Sequence, residues 1–288
     1  IFCPVPWSHQ KFPLDSLPVF WVHRFSSGFY SNRTGSDMQL EATDLSVTFG
    51  KRSVVKAIRF SLRHYRFVGI IGPNGSGKST LLKTFYKVIR PTSGVVTLDG
   101  HDVRKISQKR CSQLLAVLPQ QQTMEAELTV EEVVQMGRYP HMTFFAGSTA
   151  ADRTLVQTTL ADMKLDHLAG CRLPTLSGGE RQMVLIARAI VQDTSCILLD
   201  EPTNHLDIFH QVTILDSLTA LNRQVVVVFH DLNLAGKYCD YLYLMHKGEI
   251  AARGTPSEVL TRSHIKDIYN LDVDIISHPQ SGHPVVVL

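Results

Sequence analysis

Short, continuously apolar runs alternate with amphipathic segments over most of the chain. Three runs, at 67–71, 197–199 and 225–229, have the length and composition of strands that are buried on both faces. After the first run, apolar residues recur at helical spacing up to Pro91, which is the expected stop of that helix. Buried strands that alternate with helices predict an α/β fold with parallel strands at its centre.

The pattern outside these runs predicts two further layers. Strands near 39–49, 53–62 and 94–99 are expected to form an antiparallel β-layer. Residues from about 125 to 185 are predicted to be a mainly helical insertion. A chain of 288 residues suits a single α/β unit with such an inserted lobe.

Several helix boundaries are marked by local signals. A capping box at Thr129–Glu132 starts one helix, and Gly137 is its expected stop. A second helix is predicted to follow Gly178–Gly179, and a third to run from Ile208. A fourth begins at the capping box Thr255–Glu258, which has proline at its first helical position.

The first 37 residues differ from the rest of the chain. They contain both tryptophans and four prolines, without a clear period and without the cleavage site of a signal peptide. The hypothesis is that Met38 is the natural start and that residues 1–37 are an atypical N-terminal extension that is not native. The alternative is a genuine, poorly ordered extension.

The composition of the chain argues against several classes of function. A net charge of +3 without a dense Lys/Arg block does not suggest a nucleic-acid surface, so no nucleic-acid partner is expected. Five scattered cysteines without a C-x-x-C pair indicate neither a zinc site nor a disulfide framework. No run of 18 apolar residues is present, so membrane attachment is expected to come through a partner.

Residues 72–80 read Gly-Pro-Asn-Gly-Ser-Gly-Lys-Ser-Thr and match the phosphate-loop pattern G-x-x-x-x-G-K-[ST]. Glycines let the backbone turn its N–H groups toward phosphate oxygens, and a helix that begins at about Lys78 adds its positive end. Lys78 is expected to reach the β- and γ-phosphates, and the Ser79 hydroxyl to bind Mg²⁺. The predicted ATP contacts here are Gly72, Pro73, Asn74, Gly75, Ser76, Gly77, Lys78, Ser79 and Thr80. A chance match is the alternative, and the strand and helix around the loop argue against it.

Two further strand ends carry polar residues. Asp200 and Glu201 follow the run at 197–199, where the first carboxylate is expected to hold Mg²⁺ and the second to orient or deprotonate the attacking water. His230 follows the run at 225–229 and is expected to sense the γ-phosphate. The alternatives are a surface acidic pair and a structural histidine.

In this order the motifs resemble those of the nucleotide-binding subunits of ATP-binding cassette (ABC) transporters, from about Met38 to the C-terminus. Phe49 matches the aromatic residue that stacks on adenine, although tyrosine is commoner there. Gln120 matches the glutamine that touches ATP and Mg²⁺ and senses the membrane partner. Gln121 and Gln122 leave the register of that glutamine open by one or two positions.

The resemblance also covers two motifs that would act on a second copy of the chain. Leu176–Glu180 matches the signature motif, and Asn204–Asp207 matches the loop that crosses to the other subunit. Two chains would then close head to tail around ATP. The residues that contact the ATP of the other chain would be Ser177, Gly178, Gly179 and Asp207. The catalytic residues would be Glu201, His230 and Lys78. The Mg²⁺ ligands would be Ser79, Gln120 and Asp200.

The resemblance implies a P-loop NTPase (RecA-like) ABC ATPase core with an antiparallel β subdomain and an inserted helical subdomain, over residues 38–288. It implies ATP and Mg²⁺ as cofactors. It also implies a second copy of the chain and an integral membrane permease as partners, with a substrate-binding protein as an indirect partner. The expected location is the cytoplasmic face of the bacterial inner (plasma) membrane.

Three phrases resemble the importers of ferric siderophores, haem and cobalamin more narrowly. They are Gly137–His141, His230–Ala235 and Ile268–Val273. An iron(III)-siderophore complex is the first choice of cargo, and haem or cobalamin (vitamin B12) is the alternative. These phrases could instead only preserve helix packing and the permease contact. A non-transport ABC ATPase, such as a translation or DNA-repair factor, is the alternative of another class.

Overall fold

The computed structural model describes most of the chain after Met38. The described residues are 38–62, 65–120, 127–142 and 147–288. The hypothesis on residues 1–37 lies outside them, and so does the alternative register at Gln121 and Gln122.

Strands and helices alternate along the described residues. The strands are β1 (Leu40–Phe49), β2 (Arg52–Ser61), β3 (Phe67–Ile71), β4 (Ser93–Leu98), β5 (His101–Asp102), β6 (Leu115–Leu118), β7 (Cys196–Asp200), β8 (Gln224–Val228), β9 (Tyr241–His246), β10 (Glu249–Gly254), β11 (Asp274–Ser277) and β12 (Pro284–Val287). The α-helices are α1 (Lys78–Phe85), α2 (Gln108–Leu114), α3 (Val130–Gln135), α4 (Ala150–Asp162), α5 (Gly178–Val191), α6 (Ile208–Thr219), α7 (Leu232–Tyr238), α8 (Pro256–Val259) and α9 (Arg262–Tyr269). Short 3₁₀ helices cover Val103–Lys105, Met136–His141, Asp166–Leu168 and Leu173–Thr175.

The central sheet of the described chain has six strands in the order β10-β9-β3-β8-β7-β6. Its five strands from β9 to β6 run parallel, and β10 pairs antiparallel at the edge. The three predicted buried runs are β3, β7 and β8, and each residue of these strands is buried. Since β3 and β7 flank β8, their carboxyl ends meet at one edge of the sheet, where side chains from different strands can form a site.

A second sheet, β2-β1-β4-β5, is antiparallel, as the runs near 39–49, 53–62 and 94–99 predict. It covers one face of the central sheet through a shared core. In that core the Phe60 ring lies 4.9 Å from Phe85 on α1 and 4.6 Å from Tyr243 on β9. The predicted α/β class is therefore confirmed, and the antiparallel layer supports the helix that follows the phosphate loop.

Helices α3 to α6 contribute to the core on the other face of the sheet. Their N-termini are stabilised by side chains that accept from the first-turn N–H groups. Complete capping boxes pair Thr129 with Glu132, Thr149 with Asp152, Ser177 with Glu180 and Thr255 with Glu258; the first and last are predicted by the sequence. In the described part of the chain, no helix has both the length and the apolar composition to cross a membrane.

A buried ion pair joins α4 to the 3₁₀ segment Met136–His141, which also contacts the C-terminal end of α5. Arg138 Nε donates to Asp152 Oδ1 at 2.8 Å, and both side chains are about nine-tenths buried. Arg138 also donates to the carbonyl of Val191 at 3.0 Å. His141 Nε2 lies 2.7 Å from the carbonyl of Gln192. The last carbonyls of α5 are thus held by the 3₁₀ segment at 136–141.

Two predicted helix ends are wrong. Helix α1 ends at Phe85 rather than at Pro91, because Lys87 adopts a left-handed conformation (φ 69°) and donates its ammonium to the carbonyl of Ile106 at 2.6 Å. Gly137 does not stop α3, since the chain continues from Gln135 into 3₁₀ turns. A Cβ at Gly137 would collide with the carbonyl of Arg188, so this glycine allows close approach to α5.

The hairpin β11–β12 is attached to α7 at the far end of the chain. Asn233 forms two hydrogen bonds with Val286: its amide donates to the Val286 carbonyl at 3.1 Å, and its oxygen accepts from the Val286 N–H at 2.7 Å. A Cβ at Gly236 would lie 2.8 Å from the carbonyl of Pro284. The helix that follows His230 is therefore held by residues more than fifty positions later.

Candidate active site

The loop between β3 and α1 has the backbone of an anion cradle. Gly72 and Gly77 have φ values of 147° and 104°, which residues with a Cβ rarely adopt. A Cβ at Gly72 would collide with the carbonyl of Met245, and one at Gly77 would lie 2.7 Å from that of Val54. Helix α1 then begins at Lys78 without a side-chain cap and without an acidic residue in its first turn. Its positive end is therefore suited to a phosphate group.

Lys78 lies buried at the centre of this loop. Its ammonium donates to the carbonyls of Gly72 at 2.8 Å and Pro73 at 3.0 Å. Burial lowers the pKa of Lys78, while the carboxylates of Glu201 and Asp200 act in the opposite direction. A desolvated ammonium beside a helix N-terminus attracts anions more strongly than an exposed one does.

Ser79 and Asp200 form a pair of oxygen ligands at the junction of α1 and β7. The Ser79 hydroxyl donates to Asp200 Oδ1 at 2.9 Å. Asp200 is buried, and its Oδ2 has no hydrogen-bond partner in the described structure. The pKa of Asp200 is raised, because the effect of burial exceeds the opposing effect of the hydrogen bond from Ser79. An orphaned buried carboxylate oxygen beside a hydroxyl fits a hard cation such as Mg²⁺.

Glu201 lies next along the chain and has three polar contacts. Its carboxylate accepts from the side-chain amides of Gln120 and, at 2.6 Å, of Asn204, and hydrogen-bonds His230 Nε2. The backbone of Glu201 is left-handed, with a φ of 55°, and its N–H donates to the carbonyl of Val228 at 3.2 Å. A non-glycine residue in this conformation is uncommon and is often found at functional sites. The structure thus brings two sequence-predicted site residues, Gln120 and His230, to this carboxylate together with Asn204.

Phe49 is the last residue of β1 and has 53% of its surface exposed. It pairs with Arg52 across the hairpin to β2. An exposed aromatic face at this position is accessible to a planar ligand such as adenine.

The predicted in-trans residues form a second cluster. Ser177 caps α5, with its hydroxyl donating to Glu180 Oε2 at 2.7 Å and accepting from the Glu180 N–H at 3.3 Å. Asp207 caps α6 by accepting from the N–H of His210 at 2.9 Å. Among the described residues, no hydrogen bond joins Ser177, Gly178, Gly179 or Asp207 to the loop at 72–80. The structure therefore keeps these residues in a separate cluster from the phosphate loop.

The contacts of two residues at these sites, Asn204 and His210, have no signal in the sequence. Asn204 is predicted only as part of the loop 204–207, and its hydrogen bond to Glu201 depends on a turn that the pattern does not show. His210 contacts both Asp207 and Gly179. Neither apolar periodicity nor motif spacing distinguishes His210 from the other polar residues of α6.

A family model and individual known proteins both match this chain. A family model described as ABC transporter matches residues 55–204. The ferric enterobactin transport ATP-binding protein FepC of Escherichia coli (strain K12) is 38% identical over 258 residues, covering 88% of this chain and 95% of that protein. The hemin import ATP-binding protein HmuV of Pseudomonas entomophila (strain L48) is 38% identical over 256 residues, covering 86% of this chain and 99% of that protein.

A solved structure adds a dimeric relative. The dimeric structure of MJ0796, a bacterial ABC transporter cassette, is similar with a TM-score of 0.67 and 27% identity, covering 75% of this chain and 98% of that chain. The match of the family model extends over more than half of this chain, and the two curated relatives are covered almost completely. The chain therefore belongs to the ABC transporter family and is an ATPase of that family.

Proposed function

We propose that this ATPase is the energy-supplying subunit of a bacterial ABC importer for an iron(III)-siderophore complex. The observation that carries the proposal is the environment of Glu201. Its carboxylate is held by Gln120, Asn204 and His230 at the end of β7, next to the Ser79–Asp200 pair and the phosphate loop. A fixed carboxylate in this position suits the activation of water for attack on a γ-phosphate.

The chain's own residues divide the chemical work. The loop 72–80 and Lys78 bind the phosphate groups, and the charge of Lys78 stabilises the negative charge that develops during transfer. Glu201 orients the attacking water and accepts its proton at a carboxylate oxygen, while His230 holds that carboxylate in place.

Mg²⁺, when bound, neutralises charge on the phosphate oxygens. Ser79 and Asp200 would hold it with the amide oxygen of Gln120. The Nε2 group of Gln120 donates to Glu201, which leaves its oxygen as the atom available to a metal.

A second copy is proposed to complete each site. Ser177, Gly178 and Gly179 lie at the N-terminal end of α5, where backbone N–H groups and the helix dipole attract a phosphate. Asp207 lies at the start of α6 beside this end. The described chain does not join these residues to its own phosphate loop, which favours a role on the ATP of the partner chain. The similar cassette MJ0796 is described as dimeric, which supports an assembly of two chains.

A membrane permease is the second proposed partner, with its contact on the helical segment. A hollow of about 240 Å³ lies between α2, the 3₁₀ segment and α5, lined by Met136, Tyr139, Pro140 and Gln192 among others. Tyr139 is 58% exposed at its rim. A hollow lined by both polar and apolar residues suits a short segment of such a permease. Binding there would hold this chain at the cytoplasmic face of the bacterial inner membrane, which is its proposed location.

The names of the relatives support a class of cargo. FepC is named for ferric enterobactin and HmuV for hemin, and both are equally similar to this chain. These names favour an importer over a translation or DNA-repair factor. An iron(III)-siderophore complex is the first candidate and haem or cobalamin the alternative, with an external substrate-binding protein delivering the cargo to the permease.

The test is to capture the complex. A tagged Glu201→Gln chain is trapped with ATP in its native cell, and the proteins that copurify are identified by mass spectrometry, with cells that express the untagged chain as the control. A multi-span permease in the tagged sample alone supports the importer, and the identity of that permease narrows the cargo. Ribosomes, DNA or no membrane protein would overturn the transport role.

A further inference from the structure

His210 lies between the two elements that the proposed function assigns to the partner's ATP. It is in the first turn of α6, three residues after Asp207. Its imidazole faces Gly179, the second residue of α5: a Cβ at Gly179 would lie 2.8 Å from three ring atoms of His210. The signature helix and the loop at 204–207 thus meet at this side chain.

The contact with Gly179 depends on the absence of a side chain. Cβ atoms essentially never approach other atoms as closely as 2.8 Å, so no larger residue fits against the ring in its present place. Gly178, by contrast, would meet nothing within 4 Å if it carried a Cβ. The two adjacent glycines therefore differ: Gly178 faces open space, and Gly179 is packed against His210.

The contact with Asp207 is polar. His210 Nδ1 lies 2.9 Å from both carboxylate oxygens of Asp207, and the His210 N–H donates to the same carboxylate at 2.9 Å. These hydrogen bonds lower the pKa of Asp207, which is therefore ionised at neutral pH. An ionised carboxylate only accepts, so Nδ1 carries the proton and donates. One imidazole thus fixes the direction of the Asp207 side chain.

Further hydrogen bonds hold the segment 202–206, which follows Glu201, to α5 and α6. Gln182, one turn further along α5, donates its amide to the carbonyl of Pro202 at 2.9 Å. Gln211, next to His210, donates to the carbonyls of Thr203 and Leu206 at 3.2 Å. The loop after Glu201 is therefore bound both to the signature helix and to α6, and His210 occupies the end of this contact nearest to Ser177–Gly179.

We infer that His210 is a positioning residue that holds the signature motif and Asp207 in one fixed arrangement for the ATP of a second copy. The inference rests on the proposed function, because both elements act in trans there. His210 need not touch ATP in its own chain, since its contacts are with the backbone at Gly179 and the carboxylate of Asp207. Its loss should therefore affect closure of the dimer and turnover, and spare ATP binding to the separate chain.

The experiment compares His210→Ala with His167→Ala. His167 is the matched control. Hydrogen bonds from Ser177 lower the pKa of Glu180, and both imidazoles add to that effect, but in the described part of the chain no hydrogen bond joins His167 to Asp207. Each change is made in the active chain, for kcat and KM, and in the Glu201→Gln chain, for the ATP-dependent monomer–dimer equilibrium by analytical ultracentrifugation. ATP affinity of the monomer is measured by fluorescence titration at low protein concentration, and the melting temperature reports folding.

The expected result for H210A is a fall in kcat and in the dimer association constant of about tenfold to a hundredfold, as misplaced reacting groups cause elsewhere. Its monomer ATP affinity and melting temperature should equal those of H167A. Two further variants separate the contacts: H210N keeps a donor for Asp207 without the ring, and H210F keeps the ring without the donor. For both variants, kcat and the dimer association constant should lie between those of the wild type and those of H210A.

Two results would overturn the inference in distinguishable ways. If the Glu201→Gln parent dimerises with ATP and H210A dimerises as tightly and turns over as fast as H167A, His210 has no positioning role. If the parent itself does not dimerise with ATP, the in-trans site of the proposed function fails and the inference fails with it.

Discussion

Ser79 on α1 and Asp200 on β7, 121 positions apart, are joined by a 2.9 Å hydrogen bond from the serine hydroxyl to Asp200 Oδ1. The bond connects the phosphate loop with the strand end that carries Glu201. It uses one oxygen of the carboxylate and leaves the buried Oδ2 without a hydrogen-bond partner in the described structure. A cation at this oxygen would relieve the cost of burying a charge.

Asp200→Asn should raise the stability of the chain at neutral pH. Burial raises the pKa of Asp200, so the stabilising effect of this group is complete below its ordinary value of 3.8 and is lost as the pH rises through the raised pKa. At neutral pH the buried charge therefore lowers stability, and the uncharged variant, which still accepts from Ser79, should melt a few degrees higher without nucleotide or metal. The gain should vanish as the pH falls below 3.8. Thermal denaturation over a pH series measures this, and a lower melting temperature at pH 7 would contradict it.

Glu201→Gln should abolish turnover and retain ATP binding. The amide occupies the same volume but cannot accept a proton from water, so ATP hydrolysis should fall by about a hundredfold to ten-thousandfold. ATP affinity should change little, because the phosphate loop and Lys78 are intact. Glu249→Gln is the control, since that carboxylate pairs with Lys56 on the surface. Turnover at the wild-type rate would show that Glu201 is not the base.

Lys78→Ala should weaken ATP binding or turnover by orders of magnitude, because it removes the buried charge that binds the phosphates. The release of phosphate and the binding of a fluorescent ATP analogue are measured side by side. Lys266→Ala removes an exposed lysine that pairs with Asp272 and serves as the control. A Lys78→Ala chain with near-normal binding and turnover would rule out the assignment of the phosphate loop.

Arg138→Ala should destabilise the fold by about 3 kcal/mol, because it leaves the buried carboxylate of Asp152 without its partner. Burial acts to raise the pKa of Asp152, but hydrogen bonds from Thr149 and Arg138 prevail and lower it. The pair therefore stabilises the fold above the ordinary value of 3.8, and its contribution is lost as the pH falls through the lowered pKa.

Urea denaturation of wild type and Arg138→Ala at several pH values measures this contribution. The difference in unfolding free energy should shrink as the pH is lowered below 3.8. Lys266→Ala, at an exposed ion pair, should cost less than about 1 kcal/mol at any pH. A difference for Arg138→Ala that does not depend on pH would show that its side chain acts by packing alone.

Local patterns predict most of the elements that build the site. The strands β3, β7 and β8 are found where apolar runs occur, because strands buried on both faces need apolar residues at every position. Capping boxes locate the starts of α3 and α8 for a similar reason, since both partners lie within four residues. The motif at 72–80 predicts a loop followed by a helix at Lys78, as observed.

Features that depend on distant contacts are not predicted. The end of α1 is set by Lys87 and its bond to Ile106, nineteen residues away. Gly137 has the composition of a helix stop, but its role is to let Arg188 approach, which only the packing of α5 reveals. The contacts of Asn204 with Glu201 and of His210 with Gly179 likewise arise from how loops fold back on the sheet.

The two hydrogen bonds between Asn233 and Val286 constrain the order in which parts of the chain can fold during synthesis. The amide of Asn233 lies in the helix directly after His230, yet its partner is synthesised 53 residues later. On the ribosome, the strands around the phosphate loop can pair before these two hydrogen bonds can form. The helix beside His230 can therefore be fixed in place only after β12 has emerged, later than the strands around the phosphate loop.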